Sequence, residues 1–126
     1  MPAFVRGAME TQLAPGELLT GIRIPRFPLE ARFGFHKICR KVGEFADAIG
    51  VAVHEPARQL TCIVSSTPAA GPIVIDAPDL QPGRGQLPDA AELQRRLVSA
   101  GLPGDAYETR LNAVAVRRAL QDIGAP

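Results

Sequence analysis

The chain is poor in the residues that build metal clusters. It has two cysteines, Cys39 and Cys62, which are far apart in the sequence and belong to no CxxC motif. Zinc and iron–sulfur clusters need several such ligands, so neither can be assembled from this chain alone. Both cysteines are predicted to be reduced packing residues. The alternative for Cys39, activation as a nucleophile by the neighbouring cations Arg40 and Lys41, would make the chain a small independent enzyme.

An excess of charge of one sign and a long apolar run are also missing. Fourteen Lys and Arg face thirteen Asp and Glu, a net charge of +1, which predicts neither a nucleic-acid partner nor a polybasic membrane anchor. The longest apolar stretch, Ala48 to Val53, is far shorter than the ~20 residues that span a bilayer. No signal segment is recognisable at the start. We therefore expect a cytoplasmic protein without a membrane partner.

The usual signatures of hydrolases and nucleotide loops are absent as well. There are two histidines, His36 and His54, and no GxSxG turn, so a catalytic triad is not expected. His54 lies beside Glu55 near a proline and is predicted to be a solvated turn residue rather than a proton-transfer group. The sequence Pro82-Gly83-Arg84-Gly85 resembles a phosphate loop, but no Gly-Lys-Ser/Thr and no immediate helix follow it. It is predicted to be an ordinary loop.

The chain has the length of one domain, 126 residues, and its apolar pattern changes from strand-like to helical. Residues 1–14 show no sustained period and are predicted to form an arm, while residues 15–126 form a single domain. Alternating or β-branched segments predict strands over 17–25, 32–40, 48–53 and 60–65, with a brief extended piece at 73–75. The segment 48–53, rich in small and branched residues, is predicted to be central.

Helical spacing begins after Asp89 and again after Asp105. Each aspartate is followed three residues later by a glutamate, the pattern of a capping box, and Gly101 and Gly124 are expected to end the two helices. The arginine pairs on these helices, Arg95-Arg96 and Arg117-Arg118, are predicted to be solvated. Strands first and helices second is typical of an α+β fold. We predict a three- to four-stranded antiparallel sheet, followed by two or three helices packed on one face.

One basic cluster stands near the end of the second predicted strand. His36, Lys37, Arg40 and Lys41 precede a Val42-Gly43 turn. These donors could meet an anionic group or the edge of a flavin, and the alternative is a solvated strand end.

Two longer segments resemble a known family. Leu13–Pro25, reading LAPGELLTGIRIP, and Phe35–Ala46, reading FHKICRKVGEFA, together resemble the C-terminal domain of the FAD-binding (medium) subunit of molybdenum hydroxylases. These enzymes are relatives of xanthine dehydrogenase and carbon monoxide dehydrogenase. The opening segment 4–13 and the closing segment 105–120 are similar to the family too, while residues 67–88 differ most.

The resemblance implies an α+β domain that packs beside FAD, in a complex that passes electrons from molybdenum through two [2Fe–2S] centres to the flavin. It implies three kinds of partner: a flavin-domain polypeptide, an Fe–S subunit and a molybdopterin subunit. The flavin-side contacts map onto Leu19 and onto His36 or Lys37, with Arg40 beside them. The family's glycine-rich pyrophosphate segments have no counterpart in the sequence and would precede Met1. The isolated chain is therefore expected to be inactive and to bind FAD weakly or not at all.

A rival hypothesis is a free-standing interaction or scaffold module that kept the fold without flavin binding or catalysis. Exposure of apolar side chains distinguishes the two. A domain that needs a neighbour should leave the region around Leu18, Leu19 and Phe35 uncovered, whereas an independent module should cover or charge it.

Overall fold

The computed structural model describes residues 4–67, 69–83 and 86–124. Its strands are β1 (Val5–Gly7), β2 (Glu10–Thr11), β3 (Arg32–Ile38), β4 (Ala48–Glu55), β5 (Leu60–Thr67) and β6 (Ala70–Asp76), and its helices are α1 (Ala90–Ser99) and α2 (Ala106–Asp122). Strands β3 to β6 form one antiparallel sheet in chain order, and β1 and β2 form a small hairpin. The predicted α+β class, the four-stranded sheet and the two closing helices are confirmed.

Helix α2 packs directly on the inner face of the sheet because that face is built from very small residues. Ala48 and Ala52 are buried there, and Gly34 and Gly50 pair with Ala52 and His36 across the ladder. A Cβ atom placed on Gly50 would lie 2.3 Å from the backbone of α2. One placed on Gly34 would lie 1.9 Å from a carbonyl oxygen of the same helix. The two glycines thus allow backbone-to-backbone approach of helix and sheet.

The core lies between this inner face and the two helices. Its largest fully buried side chains include Ile63 from β5, Leu93 and Leu97 from α1, and Val116 and Leu120 from α2. Leu93 and Leu97 are one helical turn apart, so they share a face of α1. Burial of such side chains from water is the main favourable term that holds the two layers together.

Both helices begin as the sequence predicted. The carboxylate of Asp105 accepts hydrogen bonds from the N–H groups of Tyr107 and Glu108, and the Glu108 carboxylate accepts one from the N–H of Asp105, which completes a capping box. Asp89 accepts a bond from the Glu92 N–H, and this hydrogen bond lowers the pKa of the Asp89 carboxyl. The predicted helix ends at Gly101 and Gly124 are confirmed.

Two polar side chains inside the core, Asn112 and Ser65, are paired with each other. The buried Asn112 on α2 donates to the Glu108 carbonyl oxygen at 3.0 Å, and its side-chain oxygen lies 2.8 Å from the hydroxyl of Ser65 on β5. The Ser65 hydroxyl oxygen is also 3.1 Å from the Ile49 carbonyl oxygen. The single hydroxyl proton can therefore be donated to either of two acceptors. This pairing joins the helix layer to the central strands.

The prediction that His54 is a solvated turn residue is wrong. Strand β4 continues to Glu55, two residues beyond the predicted end, and its alternation places His54 on the buried face. There His54 Nδ1 lies 3.0 Å from the Thr61 hydroxyl oxygen. The turn is made instead by a short 3-10 segment, Pro56–Arg58.

The predicted strand over residues 17–25 is also wrong. Residues 12–31 form no strand or helix, and every residue from 8 to 30 is exposed. The alternation of apolar residues is present, but a strand also needs a ladder partner, and this segment pairs with none of the described strands. By contrast, the brief extended piece expected at 73–75 is part of the seven-residue strand β6.

One further prediction can be compared with the structure only in part. Arg84 and Gly85, half of the loop that resembles a phosphate-binding turn, lie outside the described residues. Residues 14–17 form a turn, in which the Glu17 N–H donates to the Ala14 carbonyl oxygen at 3.0 Å. Within the described ranges, no helix combines the length and the apolar character that a bilayer crossing needs.

Candidate functional site

Strand β3 sends the predicted site residues to two different faces. Side chains alternate along a strand, and in β3 Phe33, Phe35 and Lys37 are exposed on the outer face, away from the helices. Gly34 and His36 lie on the inner face, toward α2. The alternative that the sequence left open, His36 or Lys37, is therefore a choice between opposite sides of the sheet.

Lys37 and Arg40 converge on one residue of the connection between β3 and β4. The Lys37 ammonium donates to the Glu44 carbonyl oxygen at 2.5 Å, and the Arg40 guanidinium lies 3.8 Å from the Glu44 carboxylate. The predicted turn at Val42-Gly43 brings Glu44 back toward the strand, and Gly43 has the positive φ of 93° that such a turn favours. Both cations remain exposed to solvent, so they keep hydrogen-bonding capacity for an anionic or carbonyl group.

His36 has a partner that its sequence neighbours do not supply. The Arg118 guanidinium, 82 positions away on α2, lies 2.8 Å from His36 Nε2. Arginine can only donate, so Nε2 must be the acceptor and carries no proton in this contact. His36 is thus engaged with the helix layer, and Arg118 is not simply a solvated residue as predicted.

Leu19, the remaining predicted site residue, lies in the irregular segment before β3. Its side chain is half exposed, at 50% of its full accessible area. Leu18 beside it is 85% exposed, and Phe35 on the outer face of β3 is 61% exposed. The structure therefore brings Lys37 and Arg40 together at Glu44, turns His36 away from them, and leaves Leu19 outside the sheet.

The outer face of the sheet continues this exposed region across all four strands. Phe35, Val51, Val64 and Val74 are register partners and form one apolar row from β3 to β6. A second row runs through Phe33, Val53 and Cys62 and ends at Asp76. Both rows belong to the outer face, which is the side of the β3–β6 sheet that points away from the helices.

One segment of the chain touches the edge of the outer face. The Phe27 ring meets the Phe33 ring edge to face, with centroids 5.1 Å apart. Between Phe27 and the strands opens a cavity of about 310 Å³, lined in part by Val53, Leu60 and Cys62. Partial burial, with smaller contributions from the carboxylates of Asp76 and Glu55, raises the pKa of the Cys62 thiol. Such a thiol is a poor nucleophile at neutral pH.

The residues that the structure describes give little support to metal binding or to catalysis by a cysteine. Across residues 4–67, 69–83 and 86–124, no three His, Cys, Asp or Glu side chains are grouped so that they could hold a metal ion. Cys39 and Cys62 are both free thiols of intermediate burial. Arg96 pairs with Glu92 at 2.6 Å and with Asp79 at 2.7 Å, so it is not simply a solvated residue as predicted.

Sequence reasoning missed two of the contacts that organise this region. Glu44 follows the basic cluster closely, and its role as a shared acceptor could have been suspected from the intervening turn. The His36–Arg118 contact has no local signal, because it depends on how α2 crosses β3.

Comparison with known proteins gives one informative match. The chain is 29% identical over 130 aligned positions to the carbon monoxide dehydrogenase medium chain of Afipia carboxidovorans. The match covers 94% of this chain and 45% of the relative, so the chain spans less than half of that protein's length. No family model matches the chain, and no solved structure matches it. The chain is thus similar to the carbon monoxide dehydrogenase medium chain, in agreement with the resemblance seen in the sequence.

Proposed function

We propose that the chain is the C-terminal domain, or a split subunit, of the FAD-binding component of a molybdenum hydroxylase. In this role it supplies contacts on one side of the flavin and a surface for assembly, and the complex works in the cytoplasm. Bound FAD would supply the electron carrier between the iron–sulfur centres and the final acceptor. The redox chemistry then belongs to the complex, with a flavin-domain polypeptide, an Fe–S subunit and a molybdopterin subunit as the partners.

The observation that carries the proposal is the uncovered apolar region around Leu18, Leu19 and Phe35. Their exposed fractions of 85%, 50% and 61% are the result expected of a domain that needs a neighbour. An independent scaffold module would be expected to cover or charge these side chains. The similar medium chain is more than twice as long as the aligned part, so we infer that the neighbour corresponds to the rest of such a medium chain.

Among the predicted flavin-side residues, we infer that Lys37 rather than His36 faces the cofactor. Lys37 shares the outer side of β3 with the exposed Phe35. The apolar ring system of a flavin could therefore contact Phe35 while its polar edge accepts a hydrogen bond from Lys37. Arg40 adds a second donor at the same connection. His36 is held by Arg118 on the other side. The donors and apolar side chains present therefore fit one edge of a flavin, but not its diphosphate.

Titration of the isolated chain with FAD tests the first part of the proposal. A diphosphate is normally held by backbone N–H groups of a glycine-rich turn or a helix N-terminus. We expect no stoichiometric complex by flavin absorbance and no rise in melting temperature. A yellow one-to-one complex with a dissociation constant in the micromolar range or tighter would contradict the proposal.

Purification of the tagged chain from its own cells tests the assembled form. We expect it to bring down a polypeptide that carries FAD in equal amount, together with iron–sulfur and molybdopterin-containing chains. A chain that purifies alone, or with proteins that contain no flavin, would favour the scaffold hypothesis.

Variants in the assembled form test the choice of residues. Lys37→Gln should weaken flavin retention by roughly tenfold, the effect of losing one charge-assisted hydrogen bond. His36→Gln should leave retention unchanged, since His36 faces α2. Arg110→Gln is the matched control, because Arg110 is an exposed cation on α2. Equal retention in Lys37→Gln and Arg110→Gln would remove Lys37 from the flavin side.

A further inference from the structure

The two edge strands of the four-stranded sheet differ in how well they are protected against pairing with a further strand. In the order β3-β4-β5-β6, the edges are β3 and β6. Strand β6 carries Pro72, which has no N–H to donate, and β1 of the hairpin lies beside it. Strand β3 contains no proline, and it pairs with β4 along its whole length without a register shift. A regular edge of this kind is a template for an added strand.

A hydrogen bond at the far side of the sheet fixes the direction of the backbone groups in β3. The Ala77 N–H donates to the Thr61 carbonyl oxygen at 2.7 Å, so the backbone of Thr61 is turned toward β6. Residues paired in an antiparallel ladder exchange either two hydrogen bonds or none. His54, the register partner of Thr61, therefore bonds to β3 instead, where its partner is Arg32. The backbone groups of Arg32 are thus turned into the sheet, and those of the next residue are turned outward.

Three residues of β3 direct their backbone N–H and carbonyl groups to the open side: Phe33, Phe35 and Lys37. The same alternation holds at the end of the strand, where the Asp47 N–H donates to the Ile38 carbonyl oxygen at 2.9 Å. Within residues 4–67, 69–83 and 86–124, no group is hydrogen-bonded to the main chain of these three residues. An added strand would satisfy them.

The side chains along this edge carry positive charge on both faces of the sheet, and β3 itself contains no carboxylate. Lys37 is exposed on the outer face, next to the exposed rings of Phe33 and Phe35. On the inner face, Arg32 of β3 and Arg118 of α2 are exposed. An added strand that matches this edge has apolar side chains on one face and aspartate or glutamate on the other.

We propose that the open edge of β3 binds an extended segment of a partner polypeptide in which acidic and apolar residues alternate. The main chain of the segment pairs with Phe33, Phe35 and Lys37 and adds a further strand to the sheet. Its apolar side chains contact the two phenylalanine rings, and its carboxylates lie near Arg32 and Arg118. This interaction goes beyond the proposed function, because it needs neither the flavin nor the redox complex.

The test uses the full chain and two labelled synthetic peptides, one in which glutamate alternates with valine and one in which lysine alternates with valine. Binding is measured by fluorescence anisotropy at low and at physiological salt. Phe35→Pro removes one outward N–H and leaves the bonds between β3 and β4 in place, and proline is tolerated at such a position of an edge strand. Phe35→Thr is the matched control, because it removes the same ring and keeps the N–H.

We expect wild type to bind the glutamate peptide at least about tenfold more tightly than the lysine peptide, and salt to weaken the binding. Phe35→Pro should bind the glutamate peptide at least about tenfold more weakly than Phe35→Thr, the effect of losing a hydrogen bond at the pairing edge. Urea unfolding shows whether both variants are folded.

Amide hydrogen exchange of the wild-type chain gives a second measurement that needs no variant. The amides of Phe33 and Lys37 should exchange quickly in the free chain and become protected when the glutamate peptide binds. The amides of Gly34 and His36 should be protected in both states, because they are bonded to β4. This result decides the question even if Phe35→Pro does not fold.

Three outcomes would overturn the inference: no preference for the glutamate peptide, equal binding by Phe35→Pro and Phe35→Thr, or exchange of the outward amides that is unchanged by the peptide. A free chain that dimerises without peptide and becomes monomeric in Phe35→Pro would identify a second copy as the occupant and also overturn it. Flavin retention tests the proposed function separately, so failure of that function leaves the peptide result unaffected.

Discussion

Substitution of Gly50 by alanine tests the closest contact in the fold. The added methyl group would lie 2.3 Å from the backbone carbonyl carbon of Ala115 and from the backbone nitrogen of Val116. Ordinary contacts of a Cβ atom begin at 3.4 Å, so α2 must move by about 1 Å. These neighbours are backbone atoms and cannot turn aside as a flexible side chain could.

The loss in the free energy of unfolding can be worked out from this displacement. A radial gap of roughly 0.5–1 Å forfeits a quarter to a half of each van der Waals contact, and overpacking of a close-packed core costs about 1–3 kcal/mol or more. Replacement of glycine also restricts the unfolded chain, which returns about 0.4–1 kcal/mol. We expect a net loss of about 1–2 kcal/mol in the free energy of unfolding. With a urea slope of about 2 kcal/mol per molar, the unfolding midpoint should fall by about 0.5–1 M.

Gly21→Ala is the matched control, because no atom lies within 4 Å of a Cβ built there. It should leave the midpoint unchanged or raise it slightly. The double variant Gly34→Ala/Gly50→Ala should cost less than the sum of the single variants, because one shift of α2 relieves both contacts. Agreement of the Gly50→Ala and Gly21→Ala midpoints within about 0.3 M would refute the close packing of α2 on the sheet.

Three further outcomes follow from the contacts described. Asn112→Ala should lower the free energy of unfolding by about 2–3 kcal/mol in urea titration, because it removes a buried hydrogen-bonding side chain that serves Ser65; a loss below about 0.5 kcal/mol would contradict this. Asp105→Ala should cost about 1 kcal/mol through loss of the α2 cap, and an unchanged midpoint would be inconsistent with the capping box. The pKa of the Cys62 thiol is raised, so in the free chain this thiol should react with iodoacetamide more slowly than a simple thiol at pH 8. A rate equal to that of glutathione would contradict the environment described. Any stability that the protonated thiol contributes should fall as the pH rises through its titration.

Local signals in the sequence were sufficient for most of the secondary structure. Asp89 and Asp105 carry their own capping partners three residues on, and the small and β-branched residues of 48–53 predict a central strand, which is the position of β4 in the sheet. His54 was misplaced because a proline two residues later suggested an earlier turn. Residues 17–25 have the pattern of a strand, but the pattern does not reveal whether a ladder partner exists.

The candidate site was predictable only where its residues are neighbours in sequence. Lys37 and Arg40 are close enough to Glu44 for a tight turn to bring them together, so their cluster could be foreseen. The side of the sheet that each residue faces depends on where α2 lies, and the contact between His36 and Arg118 arises only from that packing. Which of His36 and Lys37 is available to a cofactor could therefore not be decided before the helix was placed.

The position of α2 in the chain has a consequence for how the protein is synthesised. The surface of the sheet that α2 covers, which includes Gly34 and Gly50, is translated well before α2. The contacts that join the two layers are therefore distant in sequence: Arg32 to Ile123 spans 91 positions and His36 to Arg118 spans 82. Until the ribosome has released α2, a nascent β3–β6 sheet has neither side protected. During that interval the exposed apolar side chains and strand edges make the nascent chain prone to aggregation.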